Sequence, residues 1–176
     1  MNNINFTGTY IKPATVYKGG EKVHATVIEL DKRDVKAVGK IVDKWDTWIT
    51  NLIYAKFFKD PYPKEEKFFA ISTQTSNFQK VEPAKVLALF NVRDDKTKYT
   101  LDYIEVKPNS QFNPLKSNKK RTGFSQVGKA CYDFVKEKFA SKKETDLFAV
   151  DSAKAFYEKM GAVKSESKDG NRYIIV

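Results

Sequence analysis

Cysteine and histidine are almost missing from this chain: 176 residues hold one of each, Cys131 and His24. A lone cysteine excludes a disulfide framework and a cysteine-rich zinc site. A lone histidine argues against a histidine-based metal centre and against Ser-His-Asp chemistry. No metal is therefore expected. No apolar run approaches the roughly 20 residues needed to span a bilayer. The start, Met1-Asn-Asn-Ile-Asn-Phe, has no basic segment followed by an apolar one, so no secretory leader is expected and the expected compartment is the cytoplasm.

What is present is an apolar share of 41%, with 14% aromatics, which is enough to pack a core in one domain of this length. The net charge is +10, and it is unevenly placed. From Lys107 to Lys143 ten Lys/Arg face two acids, whereas the remainder holds 22 basic and 20 acidic residues. A local positive field points to an anionic partner near that segment: a phosphorylated cofactor, a nucleic acid or an acidic surface.

Along the chain, residues 1–24 have the composition of an irregular arm or short hairpin. Ala25 to Leu30 is a strand candidate, and Asp31 or Asp34 is placed to cap a helix after it. From Asp34 to about Lys59 the apolar positions recur in steps of three and four, predicting one long helix or two abutting ones, ended by Pro61 and Pro63. Strands are predicted over 67–73, 85–92 and 99–106, the last two joined by a hairpin at Arg93–Lys98. Alternation in the third puts Leu101, Tyr103 and Glu105 on one face, which makes Glu105 an acid among large apolar neighbours. Residues 107–124 form an extended basic loop. Ser125 opens a second predicted helix, 147–150 is a short strand, Ser152 caps a third helix closed by Gly161, and 162–165 pairs with 171–176. The order of elements describes one α/β domain, 1–176, with a mixed sheet.

Two segments carry chemistry. In Lys119-Lys-Arg-Thr-Gly-Phe-Ser-Gln-Val-Gly-Lys-Ala130, glycines and cations precede a helix start, whose free N–H groups make an anion site. The spacing fits neither the P-loop nor the dinucleotide fingerprint. The second segment is Asp151 to Ala162. Its Phe156-Tyr-Glu-Lys-Met-Gly161 resembles the FYEKxGF signature of the GNAT acyl-CoA-dependent N-acetyltransferase superfamily. Gln126-Val-Gly-Lys-Ala-Cys-Tyr-Asp-Phe-Val-Lys-Glu137 resembles that family's GxGKALLDFxxE helix, and Val106-Lys-Pro108 its VxP. The three occur in the family's order, and the likeness covers residues from about 85 to 176. Against the family's Q/R-x-x-G-x-G/A motif, the preferred register ends on Gly128, with Gln126 for the first glycine and Gly123 for Gln or Arg. The alternative register matches Lys120 to Ser125.

The resemblance implies a GNAT-like mixed, mostly antiparallel sheet with helices on both faces, and transfer of an acetyl group from acetyl-CoA directly to a primary amine. It implies that the backbone of Val106 pairs with the pantetheine arm. Gln126, Val127, Gly128, Lys129 and Ala130 would hold the pyrophosphate, with Lys120, Arg121 or Lys129 on the phosphates. Asp151 stands where the family often has an Asn that contacts the cofactor. Tyr157 takes the general acid's position, and Glu105 is the candidate base. Cys131 needs no nucleophilic role. Trp45, Trp48, Tyr54 and Phe57 are the candidates for shaping the acceptor pocket. The acceptor stays open among a protein lysine or N-terminus, a polyamine, an aminoglycoside and an aminoacyl-tRNA, and a homodimer is open too. The alternative function is a catalytically inactive binding protein for nucleic acid or a protein partner on the same scaffold.

Overall fold

The computed structural model describes residues 9–45, 48–58, 64–74, 81–107, 123–167 and 170–176. Among these, nine strands form one sheet: β1 (Thr9–Lys18), β2 (Glu21–Leu30), β3 (Glu66–Ser72), β4 (Val86–Asp94), β5 (Tyr99–Val106), β6 (Phe124–Ser125), β7 (Thr145–Phe148), β8 (Val163–Lys164) and β9 (Arg172–Ile175). Their order is β6-β1-β2-β3-β4-β5-β7-β9-β8. Every pairing is antiparallel except β5 with β7. Four α-helices of the described residues accompany it: α1 (Val35–Trp45), α2 (Trp48–Lys56), α3 (Val127–Val135), continued by a π-helical turn over Lys136–Ala140, and α4 (Lys154–Lys159). The mixed, mostly antiparallel sheet expected from the sequence is present.

The central strands are buried on both faces, which is why they are apolar at nearly every position. Ile28, Phe68, Ala70 and Leu89 join Val38, Ile41, Val42, Trp45, Ile53 and Phe57 in one core under α1 and α2. Val27, Phe69, Ile71 and Phe90 join Val127, Cys131, Tyr132, Phe134 and Val135 in a second core under α3. The helical stripe from residue 34 is two helices. They approach closely at Gly39, where a Cβ would meet the Tyr54 ring at 3.1 Å. Asp31 caps the start: its carboxylate accepts from the Arg33 N–H at 2.8 Å, while Asp34 accepts from the Asp31 N–H at 3.0 Å.

Four expectations need correction. Residues 1–24, read as an irregular arm or short hairpin, contribute from Thr9 the first strand of a hairpin longer than expected: ten residues that pair along almost their whole length with β2, turning at Gly19 and Gly20. Its lysines and Pro13 hid a strand that borders the sheet, where one polar face is tolerated. Ser125 caps no helix; it lies in β6 opposite Tyr17, and α3 starts two residues later. Ser152 lies inside a 3-10 turn, and no side chain caps α4. Finally, Leu101 does not share a face with Tyr103 and Glu105. A β-bulge puts Val92 opposite Leu101 and Asn91 opposite Tyr103, with Asp102 as the extra residue. Leu101 therefore joins the α3 core with Ile104, and Tyr103 faces the α1–α2 core.

The bulge is held by charge. The Arg93 guanidinium grips Asp102 through two bonds of 3.1 and 3.2 Å, and the buried Asn91 amide donates to Asp102 and Glu66 at 3.4 and 3.2 Å. Asp102→Ala removes the acceptor of this fork. It is expected to lower unfolding free energy by about 1–2 kcal/mol, the usual worth of hydrogen bonds to a partly exposed charged group, read from urea denaturation. An unchanged midpoint would show that the bulge needs no side-chain support.

Candidate active site

The site begins where β5 and β7 part. They pair in parallel only over Tyr99, Thr100 and Leu101, opposite Thr145, Asp146 and Leu147. Beyond Leu101 no β5–β7 pair forms among the described residues, although β5 continues beside β4 to Val106. The closed end is pinned by Asp146, wholly buried. It accepts from Thr100 Oγ1 at 2.8 Å, Lys98 Nζ at 2.5 Å and Arg172 Nε at 2.7 Å, tying β5, β7 and β9 together. The bulge at Asp102 sits one residue past the last pair, where an extra residue kinks and twists its strand.

Three elements converge on the open end. At Gly128, in the first turn of α3, a Cβ would stand 3.5 Å from the Phe156 ring of α4 and 3.9 Å from Val106 Cγ2 of β5. The start of α3, the end of β5 and α4 thus meet at this position. Of the expected site residues, the fold brings Val106 and Gly128 together, with Phe156 beside them. Gln126 caps α3 in the left-handed conformation, φ 61°, and its carbonyl accepts from the Ala130 N–H at 3.0 Å. Helical geometry leaves the N–H groups of Val127, Gly128 and Lys129 without intrahelical acceptors, at the positive end of the helix. This is an arrangement that fits a phosphate group. Ahead of it, β6 fastens the helix start to β1, and Lys18 lies over the Phe124 ring at 5.5 Å.

The other expected residues divide. Lys129 is tied to Asp133 at 2.5 Å, so its charge is partly answered within the helix. Gly123 precedes β6, two residues before the loop reaches β1's edge partner Ser125. Asp151 is exposed at the turn before α4, and its bond from Lys154 holds its carboxyl below the usual range. Lys120 and Arg121 lie outside the described residues, as does the Trp48 side chain. Trp45 and Phe57 are buried in the α1–α2 core, and Tyr54 is half-buried.

Tyr157 is buried in α4 beside Tyr132, ring centroids 6.3 Å apart. Burial, then the neighbouring Cys131 and Tyr132, push its hydroxyl up to about 12. Sequence reasoning missed Tyr132, whose hydroxyl is buried with no hydrogen-bond partner among the described residues. Burial also pushes the Cys131 thiol up, leaving it inert as a nucleophile. Glu105 is 9% exposed, and burial raises its carboxyl above the ordinary 4.5. It alternates with Ile104 and Val106, which pack in the α3 core, so it points to the opposite face from theirs. The α3 side of the sheet thus holds a phenol that keeps its proton, and the opposite face of β5 a partly desolvated carboxyl. An open cavity of about 550 Å³ lies at the far end of α3, beside Lys136 and Ser141, away from this convergence.

No family model matches the chain, and no curated protein matches it in sequence. Solved structures match its fold. The PaiA N-acetyltransferase from Thermoplasma acidophilum, in complex with coenzyme A, gives a TM-score of 0.52 at 12% identity, over 85% of this chain and 96% of that one. AtaTR bound with AcCoA gives 0.53 at 13% identity, over 85% and 91%. The ribosomal-protein-S18-alanine N-acetyltransferase from Escherichia coli gives 0.51 at 17% identity, over 85% and 90%. The chain has the GNAT fold.

Glu105 makes a pH-dependent prediction. Its raised folded value means the protonated form is the better tolerated one, so its contribution to stability is present below 4.5 and lost as pH rises through the folded value. Glu105→Gln stays neutral throughout. The difference in melting temperature, variant minus wild type, is expected to grow between about pH 4 and about pH 7. A difference that stays flat would mean the carboxyl is solvated.

Proposed function

We propose that the protein is an acetyl-CoA-dependent N-acetyltransferase that passes the acetyl group directly to a primary amine. The observation that carries this reading is the convergence at Gly128, where unbonded helix amides, the end of β5 and α4 meet at the mouth of a split sheet. Fold neighbours crystallised with coenzyme A or AcCoA support it. Acetyl-CoA would supply an acyl group activated as a thioester.

The chain's own residues then have distinct tasks. The amides of Val127, Gly128 and Lys129 neutralise the pyrophosphate, with Lys120 and Arg121 as the cations expected near the phosphates. The backbone of Val106 offers a strand edge to the amide-bearing arm. Glu105 takes a proton from the attacking amine, and its desolvation makes it a stronger base than an ordinary glutamate. As the C–N bond forms and the C–S bond breaks, Tyr157 gives its proton to the departing sulfur. Its high value keeps it protonated at neutral pH until that moment. Base and acid work from opposite sides of the split, so neither blocks the other. Asp151, tied to Lys154 at the turn before α4, is the further residue expected to contact the cofactor.

Two variants test this. Tyr157→Phe is expected to keep acetyl-CoA affinity in calorimetric titration while lowering thiol release about 100-fold or more, the usual worth of a general acid. Unchanged turnover would remove Tyr157 from the chemistry. Gly128→Leu fills the gap between α3 and Phe156 and is expected to weaken acetyl-CoA at least about ten-fold, a cost of roughly 1.4 kcal/mol. No binding by the wild type, at low salt and with a full acetyl-CoA titration, would overturn the function itself.

A further inference from the structure

None of the tasks proposed above falls to the outer face of α1. The inner face is spent in the core through Val38, Ile41, Val42 and Trp45. Outside, Lys36, Lys40 and Lys44 succeed one another at four-residue steps, and Lys32 precedes them on the 3-10 turn that leads into the helix; all four are exposed. Such steps place successive side chains on adjacent turns, about 6 Å apart, so the row runs for about 18 Å.

The row keeps its charge. None of the four lysines has an ion-pair partner among the described residues. The acids at the helix start are engaged elsewhere: Asp31 holds Arg33, and Asp34 is buried in the cap. Asp43 is the single acid of α1 and forms no salt bridge among the described residues. Like charges one turn apart repel and weaken a helix, so the fold gains nothing from the row. The field extends further. The turn Pro83–Lys85 packs on α1, and the Lys107 ammonium reaches the Ala84 carbonyl at 3.5 Å, where the basic segment 107–143 begins.

We propose that the α1 lysine row is a docking surface for a single nucleic-acid strand, bound through its phosphates. Lysines at four-residue steps form a ridge that winds gently along the helix, and such a series of spaced cations matches a linear polymer with one charge per unit better than a discrete acidic side chain. The exposed face of α1 carries no large apolar side chain to bury in a bilayer, which sets it apart from a membrane-surface helix. The inference stands whether or not the chain transfers an acetyl group.

The test is fluorescence anisotropy of the full chain with labelled oligouridylate RNA and oligothymidylate DNA of about 20 nucleotides. With four contacts at a slope of about −0.7 each, wild-type affinity is expected to fall about 50-fold between 50 and 200 mM salt. In Lys36→Gln/Lys40→Gln two contacts remain, and the same salt step should cost only about 7-fold. Lys32→Gln/Lys44→Gln should behave alike, which guards against a folding defect in either pair. Lys22→Gln/Lys164→Gln removes equal charge from exposed positions elsewhere and should leave the wild-type salt response. A preference between the RNA and the DNA identifies which strand is the ligand. Equal losses in all three variants would make binding a matter of net charge and overturn the proposal. So would failure of the wild type to bind either strand at 50 mM salt, or Lys36- and Lys40-dependent binding to phosphatidylserine vesicles alone.

Discussion

One buried carboxylate decides the shape of the site. Asp146 is fully enclosed and gathers donors from Thr100, Lys98 and Arg172, so the strands that carry them are clamped together at that end. Charge removed from water this completely is tolerable only when its hydrogen-bonding capacity is filled. Just beyond the clamp, the Asp102 bulge adds a residue to β5 and kinks the strand. A clamp succeeded at once by a bend makes a wedge-shaped opening. Everything placed at the mouth, from the α3 amides to Phe156, depends on that wedge having a fixed apex.

The two hydrophobic layers meet this opening from different sides and contribute different chemistry. The α3 layer brings helix amides and a phenol; on the face of β5 toward α1 and α2, Glu105 brings a carboxyl. Burial does the electrostatic tuning in both. It raises the hydroxyl of Tyr157 and the carboxyl of Glu105 together, yet the two consequences differ in kind. A phenol that holds its proton is a better store of it, whereas a carboxyl that is reluctant to ionise is a stronger proton acceptor once it has done so. The Tyr132 hydroxyl, buried and unanswered among the described residues, is a cost the fold carries within the same layer.

Much of this was legible in the sequence, for physical reasons that can be named. β3 and β4 announce themselves because strands buried on both faces are apolar throughout, and α1 through α3 because their stripes repeat at helical steps. The hairpin between β4 and β5 comes from its turn residues. What escaped was set by contacts distant in sequence. β1 is a strand because β2 is beside it; its own residues, with Pro13 and its lysines, argue otherwise. The bulge depends on Arg93 and Asn91 finding Asp102 across the sheet, and it moved Leu101 to the other face. Ser125 and Ser152 have the chemistry of caps, but β1 claims the first as a strand partner and a 3-10 turn absorbs the second. Within the site, Val106 and Gly128 were readable from the motif segments that carry them. An aromatic on a helix stripe has the same pattern whether it lines a pocket or fills a core; for Trp45 the stripe already favoured the core, and the structure buries both it and Phe57 there. The lysine row of α1 was in plain view and was overshadowed by the denser basic segment downstream.

The pairing of β6 with β1 has a mechanical meaning. Only Gln126 separates β6 from the first turn of α3, and on its other side β6 is bonded to Tyr17 and Lys18, next to the Gly19–Gly20 turn. The tip of the first hairpin and the start of α3 therefore form one linkage, with the left-handed Gln126 as its joint. A force applied to the hairpin tip is delivered to the helix amides within a few bonds, without passing through either core. Contact with the outermost edge of the sheet is in this way translated into the aim of the helix.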